Sequence, residues 1–126
     1  RASLTPMANA VRARVQLLTL DRLAASFGVP DFIKIDVEGH EVDVLNGARG
    51  LLQSERAPIV VFEALDQSSL SISCRVLIEH LGESAALFRI HPSGVLVDIH
   101  HHGTSDFVAL PQWARARLEN GQLDFF

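Results

Sequence analysis

The chain has 126 residues and a formal net charge of −4, from 11 Lys+Arg against 15 Asp+Glu. This length fits a single domain, and 48% hydrophobic with 21% charged residues is the composition of a globular rather than a disordered protein. The mild acidity argues against a nucleic-acid-binding face, which is normally basic. No apolar run reaches the ~18 residues that a membrane span requires. We therefore expect neither a nucleic acid nor a membrane as a partner.

The basic residues and the single cysteine indicate the source and the compartment. Cys74 has no second cysteine with which to form an internal disulfide, so a reducing, cytoplasmic location is expected. Lys34 is the only lysine and the other basic residues are arginine, which together with many alanines indicates a GC-rich, bacterial coding sequence. The chain opens at Arg1 and its only methionine is Met7, which raises the hypothesis that it is a piece of a longer protein.

In the first half of the chain, strands are predicted to alternate with helices after an irregular opening over residues 1–10. Residues 12–18 alternate apolar and polar side chains, which is the period of a half-buried strand. A short helix capped by Thr19 or Asp21 is expected to end at Gly28. The pattern then predicts a buried strand over 31–37, a helix over 41–54 and a second buried strand over 59–63.

In the second half, a helix is predicted over 69–81, where an apolar stripe that includes Cys74 ends at Gly82. Pro92-Ser93-Gly94 predicts a hairpin turn between strands 86–91 and 95–99. A strand over 106–110 and a helix over 112–119 complete the chain. Buried strands that alternate with amphipathic helices predict an open α/β sheet of mostly parallel strands, with helices on both faces and an antiparallel edge formed by the last strands.

Acidic residues end both of the buried strands in the middle of the chain. Asp36 follows one strand and Glu63 closes the other, and ligands of open α/β sheets bind beyond the carboxyl ends of the strands. A carboxylate that ends a buried strand costs desolvation unless it is used, which favours a functional Asp36. The turn after Asp36 adds Glu38, His40 and Glu41. For Glu38 and Glu41 a role as helix caps is an equal alternative, and for His40 a solvated position at the helix start.

Two further features have mainly structural interpretations. His100, His101 and His102 suggest a metal site, with Asp98 and Asp106 as added oxygen ligands. Adjacent histidines point in different directions and rarely form a tetrahedral set, so a solvated loop is expected and no metal ligand is assigned. Cys74 is expected to be plain core. Trp113 and Phe125-Phe126 are expected to pack on the sheet edge or on another part of the protein.

Four motifs follow one another along the chain: T-L-D-R-L from Thr19, D-F-I-K-I-D-V-E-G-H-E from Asp31, V-L-N-G-A from Val44 and V-F-E from Val61. In this order and spacing they resemble the FkbM family of methyltransferases. The resemblance is close over residues 2–64 and general beyond them. It implies an S-adenosylmethionine-dependent enzyme with a Rossmann-like seven-stranded sheet, which methylates a hydroxyl of a sugar or glycosylated metabolite. Residues 33–36 correspond to the fourth strand of that sheet and residues 59–63 to the fifth.

The resemblance also implies roles for the acidic residues. Asp36 lies beside the methyl donor as a catalytic and cofactor-binding residue, Glu38 and His40 are catalytic, and Glu41 and Glu63 bind the acceptor. A carboxylate or imidazole that takes the proton of a sugar hydroxyl is worth ~10²–10⁴-fold in rate. His40 and Asp36 are the preferred candidates for this base, because a nearby sulfonium favours an ionised Asp36.

One departure from the family concerns the cofactor. The glycine-rich nucleotide loop and the acid that holds the ribose are expected upstream of residue 1, because Gly28 is the only glycine before Gly39. Residues 1–126 are therefore interpreted as one partial domain, the carboxyl-terminal half of a methyltransferase, inactive alone and open to homo-oligomerisation through an exposed strand edge. The alternatives are a non-catalytic α/β interaction module and a metal-dependent hydrolase that uses Asp36, Glu38 and the histidine loop.

Overall fold

The computed structural model describes residues 11–121, which form one five-stranded sheet and five helices. The predicted opening at residues 1–10 and the pair Phe125-Phe126 lie outside this range. The elements in chain order are α1 (Leu20–Phe27), β1 (Phe32–Ile35), α2 (Glu41–Asn46), α3 (Arg49–Leu52), β2 (Ile59–Glu63), α4 (Gln67–Leu81), β3 (Ala86–Ile90), β4 (Leu96–Asp98), β5 (Asp106–Leu110) and α5 (Gln112–Glu119).

The sheet has the strand order β1-β2-β5-β3-β4, with one parallel neighbouring pair, β1 with β2. β5 lies between β2 and β3 and is antiparallel to both. β1, β2 and β3 therefore run in the same direction. The prediction of a mostly parallel sheet is nevertheless wrong, because three of the four hydrogen-bonded strand pairs in the described sheet are antiparallel. The physical reason is that β5 follows the β3–β4 hairpin and inserts beside β2, in the centre of the described sheet instead of at its edge.

Local capping explains where α1 and α4 begin and end. The Thr19 hydroxyl accepts a hydrogen bond from the Arg22 N–H at 3.1 Å at the start of α1, and Asp66 accepts one from the Ser69 N–H at 2.7 Å at the start of α4. α1 ends at Gly28, which has a φ of 93° that suits glycine. The predicted bounds of α1 and α5 agree with the structure, and that of α4 agrees except for two extra residues at its start.

The helix predicted over 41–54 is instead two short helices, α2 and α3, separated at Gly47. The backbone N–H groups of Gly50 and Leu51, at the start of α3, donate to the two carboxylate oxygens of Asp21 at 2.8 and 2.9 Å. The Asp21 N–H in turn donates to the Gly47 carbonyl at 3.0 Å. Asp21, which is distant in sequence, thus accepts the hydrogen bonds that backbone carbonyl groups would accept in a continuous helix. Helical periodicity alone does not reveal this contact.

The predicted strand over residues 12–18 is wrong. This segment has no regular structure, and the side chains of Val11, Val15 and Leu17 are mostly exposed. A period of two favours a strand only where a neighbouring strand accepts its hydrogen bonds. Within residues 11–121 no strand pairs with this segment.

The core lies on both faces of the sheet. On one face, Val60, Phe62 and Phe107 pack with helices α2, α3 and α4, and α1 covers this cluster. On the other face, Ile59, Val108 and Leu110 pack against α5. Helices therefore cover both faces, as predicted. β1 was expected to be a buried strand, but only Ile35 is buried and Phe32 is 50% exposed, because β1 has a neighbour on one side alone in the described sheet.

Candidate functional site

The acidic residues meet at the carboxyl edge of the sheet. Ile35 of β1 pairs with Phe62 of β2, so the next residues, Asp36 and Glu63, follow neighbouring strands at the same level. Glu63 is also paired with Asp106, the first residue of β5. The sequence prediction that two strands bring their terminal acids to one edge agrees with this register. Asp36 itself is exposed, so the predicted desolvation of its carboxylate does not occur in the described structure.

The turn between β1 and α2 has an unusual backbone. Glu38 has a φ of 42° and Gly39 one of 96°, so two successive residues lie in the left-handed region. This region is costly for a long side chain such as glutamate, and such conformations concentrate at functional sites. The Gly39 N–H donates to both carboxylate oxygens of Glu41, at 3.0 and 3.3 Å, which holds the turn closed over the start of α2.

An open cleft of about 390 Å³ lies beside this turn. Three of the predicted site residues line it, Glu38, Glu41 and Glu63. The remaining lining residues come from the turn and from the start of α4: Gly39, Ala64, Leu65, Asp66 and Ser69. The structure therefore brings three of the predicted glutamates together in one cleft at the carboxyl edge.

Asp36 and His40 are outside the lining of that cleft. His40 is the residue before α2, and its Nδ1 atom lies 3.4 Å from Oδ2 of Asp43 in the first turn of that helix. The nearest partner of the imidazole is thus a neighbouring residue in the chain. Asp36 remains close enough to Glu63 to affect the ionisation of that group.

Asp66 and Ser69 are cleft residues that sequence reasoning did not assign. In the sequence these residues show only the pattern of a helix N-cap, in which an aspartate accepts a hydrogen bond from the backbone N–H three residues later. That pattern indicates a structural role. The hydrogen bond from the Ser69 N–H lowers the pKa of Asp66, so this carboxylate is a firm anion at the mouth of the cleft.

Glu63 has the opposite perturbation. Partial burial raises the pKa of its carboxyl group above the ordinary value, and the negative charges of Asp36, Asp106, Glu38 and Glu41 raise it further, in decreasing order. Burial disfavours the charged form, and like charges repel it. The carboxyl edge is therefore electronegative, and the pKa of Glu63 lies above that of an ordinary glutamate.

This arrangement has a definite chemical capacity. Carboxylates accept hydrogen bonds from hydroxyl groups, and several of them around an open cleft suit a ligand with several hydroxyls. The same negative charges favour a cation at the edge. A carboxyl group with a raised pKa is also a stronger base when ionised than an ordinary one, which suits proton transfer from an alcohol.

The histidine loop provides no metal site in the described structure. His100, His101 and His102 are exposed, and Nδ1 of His101 lies 2.9 Å from the carbonyl oxygen of His102. Across residues 11–121, no group of three or more His, Cys, Asp or Glu side chains is arranged to hold a metal ion.

The other two side chains singled out from the sequence are packed. Cys74 is half-buried against the core, and this burial raises the pKa of its thiol. Trp113 packs on the α5 face of the sheet, its indole N–H donates to the Ala57 carbonyl at 2.7 Å, and the Arg56 guanidinium lies 4.0 Å from its ring centre.

Comparison with known families identifies the domain. The family model described as the methyltransferase FkbM domain matches residues 2–113. The chain belongs to this family. The match extends well beyond residue 64, where the close motif resemblance ends, and it includes all five strands and the whole cleft. No curated protein and no solved structure matches the chain. Among residues 11–121 there is no helix with the length and apolar character needed to cross a membrane.

Proposed function

We propose that this FkbM domain chain is part of an S-adenosylmethionine-dependent methyltransferase that methylates a hydroxyl of a sugar or glycosylated metabolite. The observation that carries the proposal is the cleft at the carboxyl edge, in which Glu38, Glu41 and Glu63 face one open volume inside a methyltransferase family domain. Hydroxyl-rich acceptors match a wall of carboxylates because each carboxylate accepts hydrogen bonds from neighbouring hydroxyls. In this proposal Glu41 and Glu63 bind the acceptor.

The acidic edge also fits the cationic end of the cofactor. When bound, S-adenosylmethionine supplies an electrophilic methyl group on a positively charged sulfur. Asp36 is exposed at the end of β1, and its charge adds to those of Glu38 and Glu63, so the edge favours a cation there. The common direction of β1, β2 and β3 supports a Rossmann-like sheet, in which this edge is the ligand-binding one.

The catalytic candidates are Asp36, Glu38 and His40. Asp36 is the preferred proton acceptor, because no hydrogen bond or ion pair of the described residues engages its carboxylate, whereas His40 is directed toward Asp43. Glu38 is held in a left-handed backbone conformation at the wall of the cleft. Its fixed turn orients the carboxylate toward a bound acceptor and limits the reorganisation needed during the reaction.

The proposal includes a partial domain. β1 leaves one edge unpaired among the described strands, and a glycine-rich loop after a strand is missing from residues 1–126. An amino-terminal half would supply contacts to the adenosine of the cofactor. We therefore propose that residues 1–126 are inactive alone, and that the complete enzyme acts in the bacterial cytoplasm.

The test uses the protein expressed from its complete reading frame. Transfer of a labelled methyl group from S-adenosylmethionine to a panel of sugars and glycosides is measured for the native protein and for Asp36→Asn. We expect turnover to fall by about 10²-fold or more, the scale of a lost proton acceptor, while the free energy of unfolding changes by no more than about 0.5 kcal/mol, as for an exposed side chain.

Asp31→Asn is the matched control, because Asp31 lies at the opposite end of β1 and, among residues 11–121, its one ion pair is a long 3.8 Å contact with Arg56. Native turnover in Asp36→Asn would remove Asp36 from the mechanism. Absence of methyl transfer to every hydroxylated acceptor would favour the non-catalytic interaction module instead.

A further inference from the structure

Two further cavities follow the acidic cleft along α4, and each shares lining residues with the one before it. A second cavity of about 180 Å³ shares Ala64, Leu65 and Asp66 with the cleft. A third, of about 220 Å³, shares Gln67 and Leu70 with the second. We call the third cavity, with its lining residues Gln67, Leu70, Ser71, Cys74, Leu87, Ile99 and His100, the α4 groove.

The residues of α4 that line these cavities form a continuous stripe. Asp66, Leu70 and Cys74 are spaced by four residues, which places them on one side of a helix. From Asp66 to Cys74 the stripe covers roughly 12 Å, at about 1.5 Å per residue. This is comparable to the length of an extended octyl chain, so a single ligand can reach from the cleft into the α4 groove.

The polarity of the wall changes along this path. The cleft contributes carboxylates and the second cavity adds the polar residues Arg89, Thr104 and Ser105. The α4 groove is instead lined by Leu70, Leu87 and Ile99, with the half-buried Cys74 at its far end. A ligand that matches both parts has hydroxyl groups at one end and an apolar arm at the other. Apolar surface that leaves water on binding contributes favourably in proportion to its area.

Arg89 keeps the far wall in place. Its guanidinium lies 4.5 Å from the ring centre of Phe107, and its Nη2 donates to the Ile99 carbonyl at 3.1 Å while Nη1 donates to the Thr104 carbonyl. The loop that carries Ile99 and His100 is therefore tied to β3 from both of its ends. A wall that is already ordered lowers the entropic cost of binding.

We propose that the α4 groove binds an apolar arm of the methyl acceptor, so that the acceptor is an amphipathic glycoside with its sugar in the acidic cleft. The inference rests on the proposed function for the identity of the sugar end. It adds Leu70, Leu87 and Ile99 as residues that determine acceptor specificity. The lining residues that neighbouring cavities share are what select this occupant over an unrelated apolar partner.

Protection of Cys74 from alkylation tests the proposal in the complete protein. The protein is treated with iodoacetamide, and the peptide that contains Cys74 is followed by mass spectrometry with methyl, hexyl and octyl β-glucosides present below micelle-forming concentrations. We expect octyl glucoside to slow the reaction at Cys74 at least fivefold at saturation and methyl glucoside to leave it unchanged. The apparent affinity should rise by up to about fourfold per added methylene.

Ser71→Trp and Ser68→Trp form a matched pair of variants. Both serines are exposed on α4, so both variants are expected to fold, but only Ser71 lines the α4 groove. The tryptophan at position 71 should abolish protection by octyl glucoside, and the tryptophan at position 68 should preserve it. Equal protection in both variants, or no dependence on alkyl length, would overturn the proposal.

Failure of this proposal can be told apart from failure of the proposed function. Methyl transfer to short sugars without any octyl-dependent protection of Cys74 would reject the α4 groove and leave the methyltransferase proposal intact. Octyl-dependent protection without methyl transfer to any hydroxyl would reject the proposed reaction and retain the groove as a glycoside-binding site.

Discussion

At the scale of single residues, Asp21 shows how a motif residue acts in the fold rather than in chemistry. Its carboxylate accepts two hydrogen bonds from the start of α3, and its N–H binds the Gly47 carbonyl. A Cβ on Gly50 would lie 3.0 Å from Oδ2 of Asp21, so a side chain at position 50 would require this carboxylate to shift. The T-L-D and V-L-N-G-A motifs are therefore parts of one structural contact.

We expect Asp21→Ala to lower the free energy of unfolding by about 1–3 kcal/mol, the cost of leaving the helix donors of α3 without a charged acceptor. Urea unfolding measures this change. Asp43→Ala is the control, because Asp43 is exposed and its long contact with His40 is worth little. If both variants lost the same stability, the contact between α1 and α3 would not be the cause.

Glu63 gives a prediction about pH. Its pKa is raised in the folded state, so folding favours the protonated form: this contribution to stability is fully present below the unfolded pKa and is lost as the pH rises through the folded pKa. Glu63→Gln removes the ionisable carboxyl group, and with it this loss of stability at higher pH. We expect the variant to have a higher Tm than the native protein at pH 7, with a difference that closes below about pH 4, near the ordinary pKa of glutamate.

Thermal unfolding between about pH 3 and pH 8 checks the prediction for Glu63. Glu55→Gln provides the comparison, since Glu55 is an exposed glutamate just before β2, away from the acidic edge. A Tm difference independent of pH would show that the variant acts through packing rather than through charge.

At the scale of elements, the sequence predicts what local chemistry determines. Thr19 and Gly28 delimit α1, and Pro111 precedes α5, so both helices are found where capping signals place them. The acid-ended strands also follow from the pattern. By contrast, the break at Gly47 depends on Asp21, a partner distant in the chain, and the position of β5 depends on which strand edge is free. Neither feature can be predicted from a short segment of the sequence.

The same limit applies to the candidate site. Asp36, Glu38, Glu41 and Glu63 were identified from the strand ends, and three of them line the cleft. Asp66 and the α4 groove were not, because both depend on contacts between segments distant in the chain: Asp66 shares the cleft with the turn at Glu38, and the groove joins α4 to Leu87 and Ile99. Residues 12–18 show the opposite error, since their alternation satisfies a local rule without any described partner strand.

The edge strand β1 predicts association. Its outer edge is unpaired in the described sheet and Phe32 is 50% exposed, with Lys34 as the one charged side chain on the strand. Unpaired edges promote pairing with other chains, and charged side chains oppose it. We expect the 126-residue chain to dimerise or aggregate, and Phe32→Lys to shift it toward monomer.

Light scattering over a range of concentrations measures this shift. Val95→Lys is the control, because Val95 is equally exposed but lies in the turn between β3 and β4, away from β1. A native chain that stays a monodisperse monomer at high concentration would contradict the expectation, as would equal effects of the two lysines.

At the scale of the whole molecule, negative charge is concentrated at the carboxyl edge of the sheet. The acidic residues Asp36, Glu38, Glu41, Glu63 and Asp106 lie together at the carboxyl edge of the sheet. The Arg56 and Arg117 guanidinium groups flank Trp113 on the α5 side, near the start of β2. The chain thus presents an electronegative end, which favours a cationic ligand over an anionic one.

This separation predicts that the isolated 126-residue chain does not bind S-adenosylhomocysteine measurably. In the proposed function, Asp36 and the turn at Glu38 contact only the methyl-donor end of the cofactor, and binding must offset several kcal/mol of lost translational and rotational freedom. The product also lacks the positive sulfur, so the acidic edge favours it less than the methyl donor. Calorimetric titration should show no saturable heat at micromolar concentrations. The protein from the complete reading frame serves as the positive comparison, with a one-site isotherm expected. Saturable micromolar binding by the isolated chain would mean that residues 1–126 contain a complete nucleoside site, and the partial-domain proposal would be wrong.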